Sequence, residues 1–294
     1  MRQLIPFRTI SRRLREIYTE ERALFCLGLL GIALGLFGLA VMALRGRIIP
    51  PEGYLYKAVS FDIAIGIYIL TIILFIPLAE FSARGRRLWR WSSVALVLYA
   101  YAIENIQIYR GLDPRFSRAG SVADNLAGTI FGGVALGLVI TFLILVRRFF
   151  SRRNSMYGSP LLLALRYGCA AAMLAFFTGI LMGAINGAKV GDTGNLLPLH
   201  AAGFHGLQAV PLVALLFDWS YAPAREAKAW VHAAGLAWLG ACACIAWQTA
   251  LGRSVTEGST ATYVALAMLL AWLACALLAA STGLRRDASV RRPA

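Results

Sequence analysis

Eight apolar stretches of about twenty residues, divided by short polar segments, leave this 294-residue chain few ways to fold. They run approximately 23–44, 58–79, 91–109, 124–146, 162–186, 197–217, 229–250 and 260–282. Each can cross a hydrocarbon layer of roughly 30 Å as a helix. In lipid the backbone must satisfy its own hydrogen bonds, which leaves helices or a closed barrel. Runs of this length, rather than alternating strands of about ten residues, select helices. The expected fold class is therefore an all-α integral membrane protein, a bundle of about eight transmembrane helices. Residues 1–22 read as an amphipathic interfacial segment, 23–283 as the transmembrane domain and 284–294 as a basic tail.

Charge orients the bundle. With the N-terminus in the cytoplasm, the inner segments hold 21 of the 29 Lys and Arg and the outer segments 8, while the 14 acidic residues divide 7 and 7. Nearly all of the net charge of +15 then lies on one face. This is the positive-inside bias, and it predicts N-in and C-in topology. Basic residues spread over inner loops fit anionic lipid on the cytoplasmic face and do not form a nucleic-acid surface. Before the first span, Phe7, Ile10, Leu14 and Ile17 recur at helical spacing among Arg8, Arg12, Arg13 and Arg15, the pattern of a helix lying on lipid. The first apolar block is full-length and lacks a small-residue cleavage site, so it is expected to remain as a span. The five cysteines all fall inside apolar blocks, where packing is their expected role.

Polar residues inside spans are costly and mark where chemistry or pairing occurs. Asp62 lies in the first turns of span two, and Glu104, Asn105 and Gln107 lie late in span three, with Arg110 at its mouth. Asp124 and Asn125 open span four, and His200, His205 and Gln208 fall within three turns of span six. All map to the outer half, where the Gly-, Pro- and Asp-rich segments 110–125 and 186–198 are candidates for a cap. Tyr101, Glu104 and Gln107 share one helical stripe. His200 and His205 are about 140° apart, so they cannot act as an i, i+4 metal pair. A metal would need His205 or His200 joined by Glu104, a donor set suited to zinc or iron(II), and a single-histidine haem is a further option. A Glu–His pair that merely ties two helices together is the structural alternative. Arg110, Arg115 and Arg118 could hold an anion or lipid headgroup, or pair with Asp113 and Asp124 to stiffen their loop. No internal repeat is apparent along the chain, so an inverted-repeat transporter gains no support.

The string HAAGFHGLQAVP gives His200, Gly203, His205, Gln208 and Pro211, an H-x2-G-x-H-x2-Q-x2-P pattern. With Glu104, Gln107, Arg110, Gly111, Pro114, Arg115 and Phe116 upstream, it resembles a widespread family of uncharacterised bacterial multi-pass membrane proteins. The resemblance covers spans three to six and implies a membrane location but no reaction; the location expected here is the bacterial inner membrane. Members often carry an Arg shortly before the first histidine, whereas here Gly191-Asp192-Thr193-Gly194 leads to Leu196 and Leu197. The expected function is a polar cavity of Glu104, Gln107, His200, His205 and Gln208, with Asp62 and Asp124 nearby, that binds a cation, proton or small periplasmic ligand. The alternatives are a membrane-embedded metal- or haem-dependent enzyme, and a subunit that assembles with a membrane partner.

Overall fold

A computed structural model describes residues 18–220 and 222–290, with side chains placed as far as residue 284. The expected amphipathic helix around 7–17 and the last four residues of the tail lie outside them. Eight long helices occur among the described residues: α1 (Arg22–Arg45), α2 (Leu55–Phe75), α3 (Ala83–Tyr109), α4 (Val122–Phe150), α5 (Pro160–Ala184), α6 (Leu197–Trp219), α7 (Ala224–Ala250) and α8 (Thr260–Val290). Two short hairpins interrupt them, β1 (Ile48–Ile49) with β2 (Gly53–Tyr54) and β3 (Lys189–Val190) with β4 (Gly194–Asn195). Seven helices are long and apolar enough to cross a membrane. The other is α3, whose first turns carry Arg84, Arg86, Arg87 and Arg90. The protein is thus a multi-pass, all-helical membrane protein.

The chain divides into two compact units between Arg148 and Phe149. Each unit is built in the same order: long helix, hairpin, then three further helices. The correspondence is close. Ala83 and Ala224 start α3 and α7, Tyr109 and Ala250 end them, and in both cases the residues are 141 apart. The hairpins keep the same spacing, with Ile48 opposite Tyr54 and Ile49 opposite Gly53 in one, Lys189 opposite Asn195 and Val190 opposite Gly194 in the other. This repeated topology corrects the expectation of no internal repeat.

Small residues set how the first two helices of each unit approach. A Cβ on Gly66 would lie 2.8 Å from the Gly28 carbonyl oxygen, and one on Gly168 would lie 2.9 Å from that of Gly206. Backbones therefore touch at both crossings, as small-residue packing in membranes allows. Behind each hairpin a positive-φ glycine ends the third helix: Gly111 at +79° and Gly252 at +73°. The Gly111 carbonyl accepts from Glu52 N at 2.7 Å, and that of Gly252 from Thr193 N at 3.0 Å and Gly194 N at 2.9 Å. The hairpin is thereby bolted to the end of the third helix in both units.

The fourth helix starts alike as well. Ser121 Oγ accepts from Asp124 N while Asp124 accepts from Ser121 N at 2.9 Å, a reciprocal capping box. In the second unit Ser259 Oγ accepts from Thr262 N at 3.2 Å.

Candidate functional site

The polar groups of the first unit converge at its hairpin end, where the α2, α3 and α4 helices meet the segment 110–121. Around α3, Tyr101, Asn105 and Tyr109 lie on one side, and Glu104 and Gln107 on the adjoining side. Toward α2, Asn105 Nδ2 donates to both carboxylate oxygens of Asp62, at 3.2 and 3.0 Å. Asp62 is wholly buried, and among the described hydrogen bonds this neutral amide is what holds it.

Toward α4, Glu104 is also wholly buried and is ion-paired through Oε2 with the Arg115 guanidinium. Arg115 reaches it from the 110–121 segment, with its Cζ 5.4 Å from the Phe61 ring centroid and 5.1 Å from that of Phe131. The two rings flank the cation and attract it through their electron-rich faces. Glu104 Oε1, Arg115 Nε and the Tyr101 hydroxyl are buried without a hydrogen-bond partner. A Cβ on Gly31 would lie 2.0 Å from that hydroxyl, so α1 closes over it. Buried polar atoms left unpaired are uncommon, and three in one cluster single this place out.

Farther along α3, Gln107 Nε2 donates to Asp124 at 3.1 Å, and Arg110 pairs with the same carboxylate at 2.5 Å. Of the three arginines expected to hold an anion, Arg110 and Arg115 are thus engaged by carboxylates. Arg118 contributes its backbone N–H to Glu52 at 2.9 Å, and its side chain is exposed. Among the described ion pairs, only Arg110 has the aspartate partner of the loop-stiffening alternative.

The cap itself rests on two further carboxylates. Glu52 accepts from Ser117 Oγ at 2.6 Å and from the N–H groups of Arg118 and Ala119. The Ser117 hydroxyl and then the Arg118 amide hold its carboxyl below the ordinary glutamate value. Asp113 pairs with Lys57 at 2.5 Å and accepts from Arg115 N at 2.9 Å and Phe116 N at 3.0 Å. Burial pushes its carboxyl up, but the Lys57 bond and these amides outweigh it and leave it below the ordinary aspartate value.

The histidines belong to the second unit, as does Gln208. His200 Nδ1 donates to the Ala175 carbonyl at 2.7 Å, with Thr178 Oγ1 3.2 Å away, so it faces α5. His205 lies on the exposed side of α6 and Gln208 is half-buried. The two histidines diverge, as their five-residue spacing requires. Among the described residues, no group of three or more His, Cys, Asp or Glu side chains could hold a metal ion, and of the tentative metal set Glu104 lies in the first unit and His200 and His205 in the second.

The repeat supplies an internal reference for the first unit's site. Counting 141 residues on from Asp62, Glu104 and Asn105 reaches Gly203, Ile245 and Ala246. Gln107 maps to Gln248, whose Nε2 donates to the Ser254 carbonyl at 3.0 Å and whose Oε1 accepts from Ser259 Oγ at 2.8 Å. The bridge from third helix to fourth is retained in the second unit, and the buried carboxylates are not. No family model matches the chain, and no curated protein or solved structure shows significant similarity to it.

Proposed function

We propose that the protein takes up and releases a proton at the buried pair Asp62 and Glu104. One observation carries this reading: of two fully buried carboxylates, Glu104 has the one guanidinium and Asp62 has only the neutral Asn105 amide, in a fold whose second copy is built without either carboxylate. An uncompensated charge inside a membrane costs several kcal/mol. A proton on one of the two carboxyls removes that cost. Asn105 presents donors to Asp62, an arrangement that suits a carboxylate and supplies no cage of oxygens for a metal ion. The buried Tyr101 hydroxyl is on the same helix as Glu104 and can both donate and accept.

In this reading all eight helices cross the bacterial inner membrane, α3 included, with both termini in the cytoplasm. The hairpin ends then face the periplasm, and the proton exchanges with that side past Arg115, whose side chain is one-third exposed. The family resemblance is compatible with this location and adds no reaction.

Difference infrared spectroscopy of the reconstituted protein between acidic and alkaline pH tests the proposal. A carboxylic-acid carbonyl band that titrates in the wild type, and disappears in Asp62→Asn or Glu104→Gln, is expected. A spectrum without such a band, or one unchanged in both variants, overturns it. A reporter fused to the C-terminus is expected to stay cytoplasmic; its export would reverse the orientation.

A further inference from the structure

The opposite end of α3 sorts four arginines onto two faces within two turns. Arg86 and Arg90, four apart, turn to the buried Glu21: Arg86 Nε meets Oε1 and Arg90 Nε meets Oε2, both at 2.6 Å. Arg84 and Arg87 point the other way and are exposed, and no hydrogen bond or ion pair holds their side chains among the described residues. Leu88 and Trp91 complete that outward face, at 69% and 57% exposure. The positions 84, 87, 88 and 91 fall within about 100° of one another on a helix.

Length places this face at the membrane boundary. A helix of 27 residues is about 40 Å long, roughly 10 Å more than a hydrocarbon layer. The excess is the basic first turns, so Arg84 and Arg87 stand among headgroups and Trp91 at the interface, where indole rings concentrate. Cations in a first turn also oppose the helix dipole, and α3 has no acidic residue there to offset them. The placement nevertheless recurs. The corresponding residues of α7 are Arg225 and Lys228, whereas the Glu21-bound Arg86 and Arg90 correspond to Ala227 and Val231. What the repeat preserves is the outward cationic pair.

We propose that Arg84 and Arg87 bind the phosphate of an anionic phospholipid, with Leu88 and Trp91 packed along its glycerol and first methylenes. The guanidinium groups supply charge-assisted hydrogen bonds to phosphate oxygens. The apolar pair selects a lipid over a soluble anion.

The full chain, reconstituted in vesicles of phosphatidylcholine with a minor share of phosphatidylglycerol, can be extracted and its retained lipid counted by native mass spectrometry. The wild type is expected to retain phosphatidylglycerol preferentially. Each arginine replaced in Arg84→Gln and Arg87→Gln should lower that preference about fivefold, and Trp91→Ala should lower retention further. The control removes the same charge from an exposed loop, in Arg152→Gln with Arg153→Gln, and should retain lipid as the wild type does. Wild-type retention in the α3 variants, or an equal loss in the control, overturns the site.

Discussion

The two units share one scaffold and differ in what they bury. At the hairpin end both bolt a β-turn to a positive-φ glycine, bridge the third helix to the fourth through a glutamine, and start the fourth helix with a serine cap. The first unit adds Asp62, Glu104 and the arginine that reaches Glu104; the second has Gly203 and Ile245 at the places of the two carboxylates. The scaffold therefore does not need the carboxylates, and their cost of burial calls for another explanation. That contrast separates a proton site from a helix-tying ion pair more sharply than the geometry of the first unit could alone.

The largest effect should come from breaking the shared bolt. A Cβ at Gly111 would sit 2.0 Å from the Pro50 carbonyl oxygen, a backbone atom, at φ +79°. At Gly252 the nearest atom would be Gly191 Cα at 3.1 Å. Gly111→Ala should cost roughly 3 kcal/mol or more and Gly252→Ala roughly 1–2 kcal/mol. Thermal unfolding in one detergent compares them. Equal losses would mean that the second hairpin is held as tightly as the first.

Next in size is the conversion of one unit's chemistry into the other's. Glu104→Ile alone strands Arg115 between two rings and should cost about 2 kcal/mol, moderated by the arginine's partial exposure. Adding Arg115→Thr, the residue type found 141 positions on, should recover much of that loss, because replacing both partners of a buried pair is often nearly neutral. Both variants should lose the titrating carboxyl band that Glu104 contributes. A double variant less stable than the single one would make the pair a structural tie.

How much of this was legible in the sequence depends on the length scale of each signal. The places of the eight long helices follow from apolar runs, seven of them long and apolar enough to cross a membrane, and the polar depth profile put Asp62, Glu104, Gln107 and Asp124 at one end of their helices. The repeat was not legible, because lipid-facing positions accept any apolar residue. Its traces are sparse: Gly53-x-Leu55 against Gly194-x-Leu196, and Gln107-x3-Gly111 against Gln248-x3-Gly252. Those glycines and glutamines mark places where backbone approach or a bridge leaves no freedom, and a search for them at one offset would have exposed the duplication. The partner of Glu104 was missed for a different reason. Arg115 stands eleven residues away in a loop, beyond the reach of any helical periodicity, while His205 looked closer in chemistry.

A smaller effect distinguishes the two glutamines. Gln248 is 1% exposed and bonds to the carbonyls of Ser254 and Glu257 besides Ser259. Gln107 shares Asp124 with Arg110, which can hold the carboxylate without it. Gln248→Ala should cost about 1–2 kcal/mol and Gln107→Ala less than about 1 kcal/mol. Guanidinium or SDS unfolding would show the order, and the reverse order would place the tighter cap on the first unit.

The smallest difference should appear in acid. In the first unit the cap hangs on Glu52 and Asp113, whose folded values lie below their ordinary 4.5 and 3.8. Such groups stabilise fully above the ordinary value, and the contribution fades as pH falls through the lowered one, because the unfolded chain takes up the proton first. In the second unit the 251–259 connection carries one exposed, long ion pair, Arg253–Glu257 at 3.7 Å, and is anchored to the helix and hairpin by neutral donors: Gln248 to the Ser254 carbonyl, and Ser254 N to Thr193 Oγ1 at 3.0 Å. Neither anchoring hydrogen bond titrates in that range. Hydrogen exchange of segments 110–121 and 251–259, followed downward from neutrality, should therefore diverge only in the acid limb, with the first losing protection below the ordinary carboxylate range while the second keeps it. Parallel loss in both segments would mean that general acid unfolding, rather than Glu52 and Asp113, opens the cap; unchanged protection in the first would show that the Arg115–Glu104 pair and the Gly111 bolt hold it without them.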